Sequence, residues 1–324
     1  MKACVLGATG FIGGQIALAA LAEGWQVRAA RRNPSNFGAI ASAPVQWVMA
    51  DLRDEDSLTE AMRGCEIVFH AAAGYPENFR RIPREVAQAT QEMQNALNAA
   101  RRARINRFVY TSSLTTLEPR KLLADEALTA RPLDETSHYT PGAAKSAYYE
   151  AKWAMETLAL AQKDLDVVVT VPTAVMGPGD VKPTTSQVIR DCARGLYPVY
   201  FDAVLNPVDG RDVARAHIIA AQKGRAGERY ILGGQNMTML EMLTEICRVA
   251  QRPPPKIKLS RGLVSRLMRV MDAAPFITLT DHIRMFEFWS PLSDAKARRE
   301  LGHTSRPFAE TVKDYLDYEL RIKN

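Results

Sequence analysis

Residues 1–14 read MKACVLGATGFIGG and combine an apolar strand, a glycine-rich turn and the start of a helix that extends over residues 11–23. In a unit of this kind the first glycine allows a tight turn, and the second lets the backbone approach a pyrophosphate. The third lets helix and strand pack closely. The helix N-terminus then offers free N–H groups to phosphate. The stretch therefore predicts a dinucleotide-binding unit, with contacts from Gly7, Thr9, Gly10, Phe11, Ile12 and Gly13.

Two arginines end the second predicted strand, at the position that faces the adenosine ribose of a dinucleotide. An NAD site usually has Asp or Glu there, which accepts hydrogen bonds from the ribose 2′-OH. Arg31 and Arg32 instead offer charge-assisted contacts to a 2′-phosphate, and two solvated surface arginines are the alternative interpretation. The sequence therefore predicts NADP(H) as the preferred cofactor and NAD(H) as the second choice. Asp51 and Leu52, after the third predicted strand, are expected to flank the adenine.

Short apolar segments alternate with helical patterns over the first half of the chain. Strands this apolar, separated by helices, are typical of a parallel sheet covered on both faces, and right-handed crossovers make it doubly wound. We predict an α/β fold with a Rossmann-like NAD(P)-binding domain over residues 1–172. A smaller, mostly helical substrate-binding lobe is predicted over residues 173–324, with segments that return to the sheet. Further predicted helices cover residues 55–63, 86–103, 148–162, 186–194, 212–223, 239–250, 294–301 and 308–321.

The segment SAYYEAK contains a tyrosine and a lysine four residues apart, Tyr148 and Lys152, which lie on one face of the predicted helix. A phenol with a pKa near 10 is a poor acid–base group at neutral pH. A neighbouring ammonium, together with the positive nicotinamide ring, would lower that pKa. Tyr149 is three residues from the lysine and is expected to point towards packing or substrate. The spacing therefore predicts Tyr148 as the proton donor.

The segment FVYTSS supplies a serine just beyond the fifth predicted strand. The hydroxyl of Ser113 is placed there to polarise a substrate carbonyl and to orient Tyr148. Thr111 and Ser112 are expected to lie closer to the cofactor, although the roles of the two adjacent serines are easily confused.

These motifs together resemble the extended short-chain dehydrogenase/reductases, most strongly the hopanoid-associated sugar epimerases and the dihydroflavonol-reductase-like group. The match covers GATGFIGG, DL, FHAAA, VYTSS, YxxxK and the P…GP stretch at residues 172–178, and it extends to about residue 260. The resemblance implies that Ser113, Tyr148 and Lys152 are catalytic and that Arg32 holds the 2′-phosphate. It also implies a homodimer through the helices at residues 86–103 and 148–162. It places Ala71, Ala72, Ala73, Pro172 and Val175 beside the cofactor.

Two family segments are altered in this chain. Of the usual NVxGTxN pattern after HAAA, the sequence keeps only Asn95, and VHVDDVA is reduced to VDGRDVA, with Asp212 but without its histidine. These changes bear on substrate contacts more than on cofactor binding.

Three functions compete for these motifs. The first is a carbonyl reductase in which Tyr148 donates the proton and Ser113 stabilises the developing alkoxide. The second is a sugar-nucleotide epimerase or dehydratase, which needs a basic pocket for a diphosphate. Lys182, Arg190, Arg194 and Arg211 are the candidates for that pocket. The third, a dinucleotide-sensing regulator without turnover, is disfavoured by the presence of both Tyr148 and Lys152.

Composition limits which partners and which cellular location we expect for the protein. The chain is 47% hydrophobic and 24% charged, as ordinary globular proteins are, and no apolar run approaches the ~18–20 residues that span a bilayer. Since the N-terminus carries no leader pattern, we expect a cytoplasmic protein. The net charge of +6 would suit nucleic acid, but the densest basic run, RRARINR at residues 101–107, is typical of a helix end. We therefore predict a small-molecule substrate and no nucleic-acid partner.

The cysteines and histidines show no spacing of a metal or redox site. We predict buried, reduced thiols and no metal. The segment RGLVSRLMRVMDAAPF at residues 261–276 is basic and apolar by turns. We interpret it as a helix of the substrate lobe, with a helix lying on a membrane as the alternative.

Overall fold

The computed structural model describes residues 1–72, 82–120, 130–144, 146–181, 185–260, 262–264, 266 and 290–321. The strands are β1 (Lys2–Leu6), β2 (Gln26–Arg31), β3 (Gln46–Met49), β4 (Ile67–His70), β5 (Arg107–Thr111), β6 (Val167–Pro172), β7 (Ala174–Met176), β8 (Val199–Tyr200), β9 (Val204–Leu205), β10 (Pro207–Asp209), β11 (Arg229–Leu232), β12 (Met237–Thr238) and β13 (Ile257–Lys258). The helices are α1 (Phe11–Ala22), α2 (Glu55–Met62), α3 (Ile82–Arg102), α4 (Ala147–Leu160), α5 (Gln187–Ala193), α6 (Gly210–Lys223), α7 (Met239–Val249), α8 (Ala295–Leu301) and α9 (Phe308–Arg321).

The central sheet contains seven strands within the described ranges, in the order β11-β6-β5-β4-β1-β2-β3. Every neighbouring pair is parallel, so the predicted doubly wound parallel sheet is confirmed. Strand order reverses between β1 and β4, and the carboxyl ends of the strands at such a point border a crevice that binds ligands in open α/β sheets. The pairing of Leu6 with His70 brings the turn after β1 beside residues 71–72.

Helices cover both faces of the sheet. Ile16 of α1 and Val213 of α6 pack with Val5 in one buried cluster. Leu58 of α2 and Met93 of α3 belong to a second cluster, which also contains Met155 of α4 and Leu6 of β1. Because a strand alternates its side chains between faces, apolar residues are needed at consecutive positions of a sheet that is covered twice.

The second half of the chain forms the predicted helical region. Helices α5, α7 and α9 pack around a third buried cluster that includes Ile189, Leu243 and Val312. Three described elements of this half return to the first: β11 pairs with β6 at the edge of the sheet, and helices α6 and α8 pack in the buried cluster on one face of the sheet. The division at residue 172 into two domains stays a prediction.

Helix starts follow the capping residues. Helix α6 begins at Gly210, two residues before the predicted start, because the Asp209 side chain accepts a hydrogen bond from the backbone N–H of Arg211. Helix α7 begins at Met239 as predicted, behind a capping box formed by Thr238 and Glu241. None of the helices described is long and apolar enough to cross a lipid bilayer. Most of the segment at residues 261–276 lies outside the described residues.

Candidate active site

The glycine-rich turn after β1 is built by backbone contacts that leave no room for a side chain. Gly7 has a φ of +84°, and a β-carbon there would lie 2.7 Å from the backbone nitrogen of Ala72. A β-carbon on Gly13 would lie 2.1 Å from the carbonyl oxygen of Gly7. Gly10 is the N-cap of α1 and supplies no side-chain cap to the helix. The first turn of α1 therefore presents N–H groups that suit a phosphate.

Neighbouring segments pack closely against this turn. The β-carbon that Gly210 lacks would lie 2.6 Å from Cζ of Phe11, so the Phe11 ring packs directly on the start of α6. Ile12 is partly buried against the same core. Gly38 has a φ of +57°, and a β-carbon there would lie 2.4 Å from the carbonyl oxygen of Thr9. The loop after β2 therefore packs on the glycine-rich turn.

Arg31, at the end of β2, has donors without acceptors. The centre of its guanidinium lies 4.3 Å from the ring centroid of Phe37 and 5.3 Å from that of Trp47. Its Nε and Nη1 atoms are buried and have no hydrogen-bond partner in the part of the chain that the structure describes. Buried donors are nearly always paired in folded proteins, so these two mark a position for an acceptor from a ligand. Arg32 is exposed.

The turn after β3 is held by local contacts. Asp51 forms an ion pair with Arg53 at 2.6 Å, and this hydrogen-bonded pair lowers the pKa of the Asp51 carboxyl to about 2. The side-chain amide of Asn95 donates to the carbonyl oxygen of Leu52 at 2.9 Å. The single asparagine retained from the family pattern thus fixes the segment that was predicted to flank the adenine.

The remaining cofactor candidates line the carboxyl ends of β4 and β6. Ala71 donates its backbone N–H to Leu6, which holds Ala71 and Ala72 against the glycine-rich turn. Pro172 is the last residue of β6, and Val175 is buried in β7. Ala73 lies outside the described residues.

Ser113 and Tyr148 lie close together. Burial raises the pKa of the Tyr148 phenol above its ordinary value, and the neighbouring Ser113 hydroxyl opposes this with a smaller lowering effect. The lowered pKa that the sequence predicts for Tyr148 is therefore not found in the protein chain alone. A phenol with a raised pKa is protonated at neutral pH, as a proton donor must be.

Lys152 lies one helical turn beyond Tyr148 on α4 and is 7% exposed. Its Nζ donates to the carbonyl oxygen of Thr111 at 3.2 Å. Burial lowers the pKa of its ammonium to about 8, and the negative charge of Glu156 opposes that change. Tyr149 points elsewhere, since its ring packs 5.7 Å from the ring of Tyr139.

The hydroxyls of Thr111 and Ser112 are bonded to protein groups. The Thr111 hydroxyl lies 2.9 Å from Nε2 of His217, and the Ser112 hydroxyl donates to the carboxylate of Glu156. The two adjacent serines therefore have different neighbours. Ser113 lies beside Tyr148, whereas Ser112 is bonded to Glu156. Cofactor contacts of Thr111 and Ser112 stay predictions.

A small cleft lies beside the segment that follows Ser113. Apolar and polar side chains line it together: Leu114, Leu117, Glu118, Pro119, Leu133, Tyr149, Val204, Asn206, Ser290 and Leu292. Among the described residues, its lining contains no lysine or arginine.

The arginines proposed for a diphosphate are bonded within the protein. Arg190 pairs with Glu319, and Arg211 pairs with Asp209 at 2.8 Å and with Asp314 at 2.7 Å. Arg194 is exposed. Lys182 lies outside the described residues.

Sequence reasoning missed two parts of this region. The first is the pair of aromatic residues, Phe37 and Trp47, that packs around Arg31. No local motif marks this pair, although aromatic residues close to the end of a predicted strand could have indicated it. Glu156 was also missed, although its position four residues after Lys152 puts both on one helix face.

Comparison with known proteins identifies the family. Residues 3–233 match the NAD dependent epimerase/dehydratase family. The chain belongs to this family. It is 35% identical to a Synechocystis protein provisionally named dihydroflavonol 4-reductase, over 97% of this chain and 93% of the relative. It is 31% identical to cinnamoyl-CoA reductase 1 of Oryza sativa, over 79% of this chain and 78% of the relative.

A solved structure supports the same assignment. The nucleoside-diphosphate-sugar epimerase from Pseudomonas aeruginosa superposes with a TM-score of 0.84 at 26% identity, over 99% of this chain and 98% of that one. The protein is thus an enzyme of the epimerase/dehydratase family, whose reductase and epimerase members share one fold.

Proposed function

We propose that this enzyme is an NADPH-dependent carbonyl reductase, which also runs in reverse on a secondary alcohol. The proposal rests on the position of Tyr148, which lies beside Ser113 and one helical turn before buried Lys152, whose Nζ donates to the carbonyl oxygen of Thr111. The relatives named dihydroflavonol 4-reductase and cinnamoyl-CoA reductase favour this chemistry over others of the family.

The side chains divide the reaction between them. When bound, the nicotinamide supplies a hydride to the carbonyl carbon. The phenol of Tyr148 donates its proton to the carbonyl oxygen, and the Ser113 hydroxyl stabilises the negative charge that develops there. The ammonium of Lys152 stabilises the phenolate that Tyr148 becomes, because an opposite charge nearby favours the ionised form.

The preference for NADPH is supported by Arg31. Two of its guanidinium donors are buried without acceptors in the described chain, and a 2′-phosphate supplies acceptors in the geometry that a guanidinium binds best. The exposed side chain of Arg32 adds positive charge beside the same position. The glycine-rich turn and the N-terminus of α1 would hold the pyrophosphate, as the missing side-chain volume at Gly7 and Gly13 allows.

A sugar-nucleotide epimerase or dehydratase is the second candidate, favoured by the structural neighbour that carries such a name. Two observations rank it lower. Arg190 and Arg211 are engaged by carboxylates, and the described lining of the cleft beside Leu114 contains no lysine or arginine that could bind a diphosphate.

Mass spectrometry of the purified protein, followed by turnover assays with NADPH, tests the proposal. We expect bound NADP(H) and oxidation of NADPH with ketones or aldehydes. Tyr148→Phe should lower turnover by roughly 10²–10⁴-fold, the usual range for a positioned acid–base group. The control Tyr149→Phe should keep kcat, because its ring packs against Tyr139. Epimerisation of UDP-glucose without carbonyl reduction would contradict the proposal.

We also infer a homodimer formed through α3 and α4. These two helices lie side by side on one face of the sheet. Trp153 and Ala154 of α4 remain partly exposed, which leaves them available to a second copy.

A further inference from the structure

A buried ion pair lies behind the candidate active site. Glu156 of α4 and Arg229 of β11 are each 5% exposed in their side chains, with 3.2 Å between Oε1 and Nη2. The other carboxylate oxygen of Glu156 accepts the hydroxyl of Ser112 and lies 2.8 Å from the hydroxyl of Thr116. The Arg229 guanidinium donates to Thr116 at 2.9 Å and to the carbonyl oxygen of Ser137 at 3.2 Å. The pair thus connects the end of β5 with α4 and with the edge strand.

The segment that this pair holds is the one that carries Ser113. Ser112 and Thr116 flank Ser113, and both of their hydroxyls contact Glu156. The backbone closes the same turn, because Thr116 donates its N–H to the carbonyl oxygen of Ser113 and Ser112 donates to that of Thr170. A shift of the Glu156 carboxylate would therefore also move the Ser113 hydroxyl, which lies beside Tyr148.

We propose that Glu156 is a positioning residue for the reaction: it fixes the turn that presents Ser113 and maintains the positive charge of Lys152. This inference rests on the proposed function in one respect, since carbonyl reduction is the reaction that Glu156 would support. Arg229 balances the carboxylate, so that a charge can remain buried at this point. A buried ion pair is a poor means of stabilising a fold, since apolar side chains of similar volume do as well or better.

The charge effect follows from the surroundings of Lys152. Glu156 lies four residues further along the same helix face. Among the residues that the structure describes, the other groups facing the ammonium carry no negative charge: the carbonyl oxygen of Thr111, the Tyr110 ring at 5.4 Å, and His70, whose pKa is lowered to about 3 by burial. Removal of the Glu156 charge therefore lowers the pKa of Lys152 further below about 8.

Glu156→Gln tests both parts, because it keeps the size and an acceptor but removes the charge. We expect kcat to fall by ten-fold or more, with the Kd for NADPH changed by less than about two-fold. Activity that depends on cationic Lys152 is lost as pH rises through its pKa, so the alkaline limb of the pH–rate profile should shift to lower pH. Glu156→Asp, which restores the charge, should recover the position of that limb.

Asp166→Asn is the matched control. Asp166 forms an ion pair at 2.6 Å with Arg107, the first residue of β5, at the opposite end of the strand that leads to Ser113. This variant should lower the Tm and leave kcat and the pH profile unchanged. If Glu156→Gln changes the Tm alone, as the control does, the pair is merely structural and the proposal is overturned.

Hydrogen exchange separates this inference from the proposed function. The amide of Thr115 is bonded to the Ser113 hydroxyl, and that of Thr116 to the Ser113 carbonyl. Faster exchange of these two amides in Glu156→Gln, but not in Asp166→Asn, is expected whether or not the parent enzyme reduces a carbonyl. Unchanged exchange would overturn the positioning role. An absence of turnover in the parent would count against the proposed function alone.

Discussion

At the scale of single residues, the proposed preference for NADPH rests on the stacked guanidinium of Arg31. Arg31→Ala should raise the Kd for NADPH by about ten- to hundred-fold, since a hydrogen bond to a charged group contributes about 1.5–3 kcal/mol. The Kd for NADH should change little, because NADH lacks the 2′-phosphate. Fluorescence titration with both cofactors measures the two constants. Arg32→Ala, which alters an exposed side chain, should have the smaller effect. Equal affinities of the parent enzyme for NADPH and NADH would refute the assignment.

Residues show where prediction from sequence succeeds and where it stops. Tyr148 and Lys152 are only four residues apart, and the helix that places both on one face was predictable from the sequence alone. The partners of Arg31 and Glu156 are contributed by other elements, and the Glu156 pair is completed by a side chain of β11, more than 70 residues further along the chain. Burial, which raises the pKa of Tyr148, is likewise a property of the assembled core.

At the scale of elements, the strand–turn–helix unit formed by β1 and α1 depends on close backbone contact. Gly13→Ala should lower the free energy of unfolding by about 1–3 kcal/mol, because the new methyl group overlaps the Gly7 carbonyl in a packed region. NADPH binding should weaken by more than ten-fold as the turn shifts. Thermal unfolding and titration measure the two effects.

Gly14→Ala is the control on the same helix. Its β-carbon would lie 3.3 Å from the carbonyl oxygen of Ala8, a contact that a small shift relieves, and alanine favours the helix over glycine. Equal losses in Gly13→Ala and Gly14→Ala would show that the close approach at Gly13 has no special role.

The elements themselves were largely predictable, with errors at their ends. The apolar strands and the helices between them follow from composition and periodicity, so the parallel sheet was predicted and confirmed. The start of α6 was wrong by two residues because its cap, Asp209, also ends a strand. The pairing of β11 with β6 depends on contacts between distant segments, and sequence pattern gave it only as a return of unspecified segments to the sheet.

At the scale of the whole molecule, two copies are expected to pair through α3 and α4 in an isologous interface. Light scattering at micromolar concentration should give about twice the 35.9 kDa of one chain. Ala154→Arg places a charge on the partly exposed face of α4 and should yield monomers. Ala295→Arg, on an exposed position of α8, should leave the dimer intact. A monomeric parent would contradict the pairing.

The edge strand β11 also bears on how this chain could exchange segments by recombination. The chain leaves the sheet after β6, passes through part of the helical region, and comes back to add β11 before that region is complete. A recombination event with a single crossover at residue 172 would separate β6 from its partner and leave a Val-rich strand, buried along its length, open to pairing with other chains. The Glu156–Arg229 pair would be divided by the same crossover. We therefore expect the substrate range of such a scaffold to change by substitution and loop insertion. We do not expect it to change by exchange of the whole region after residue 172.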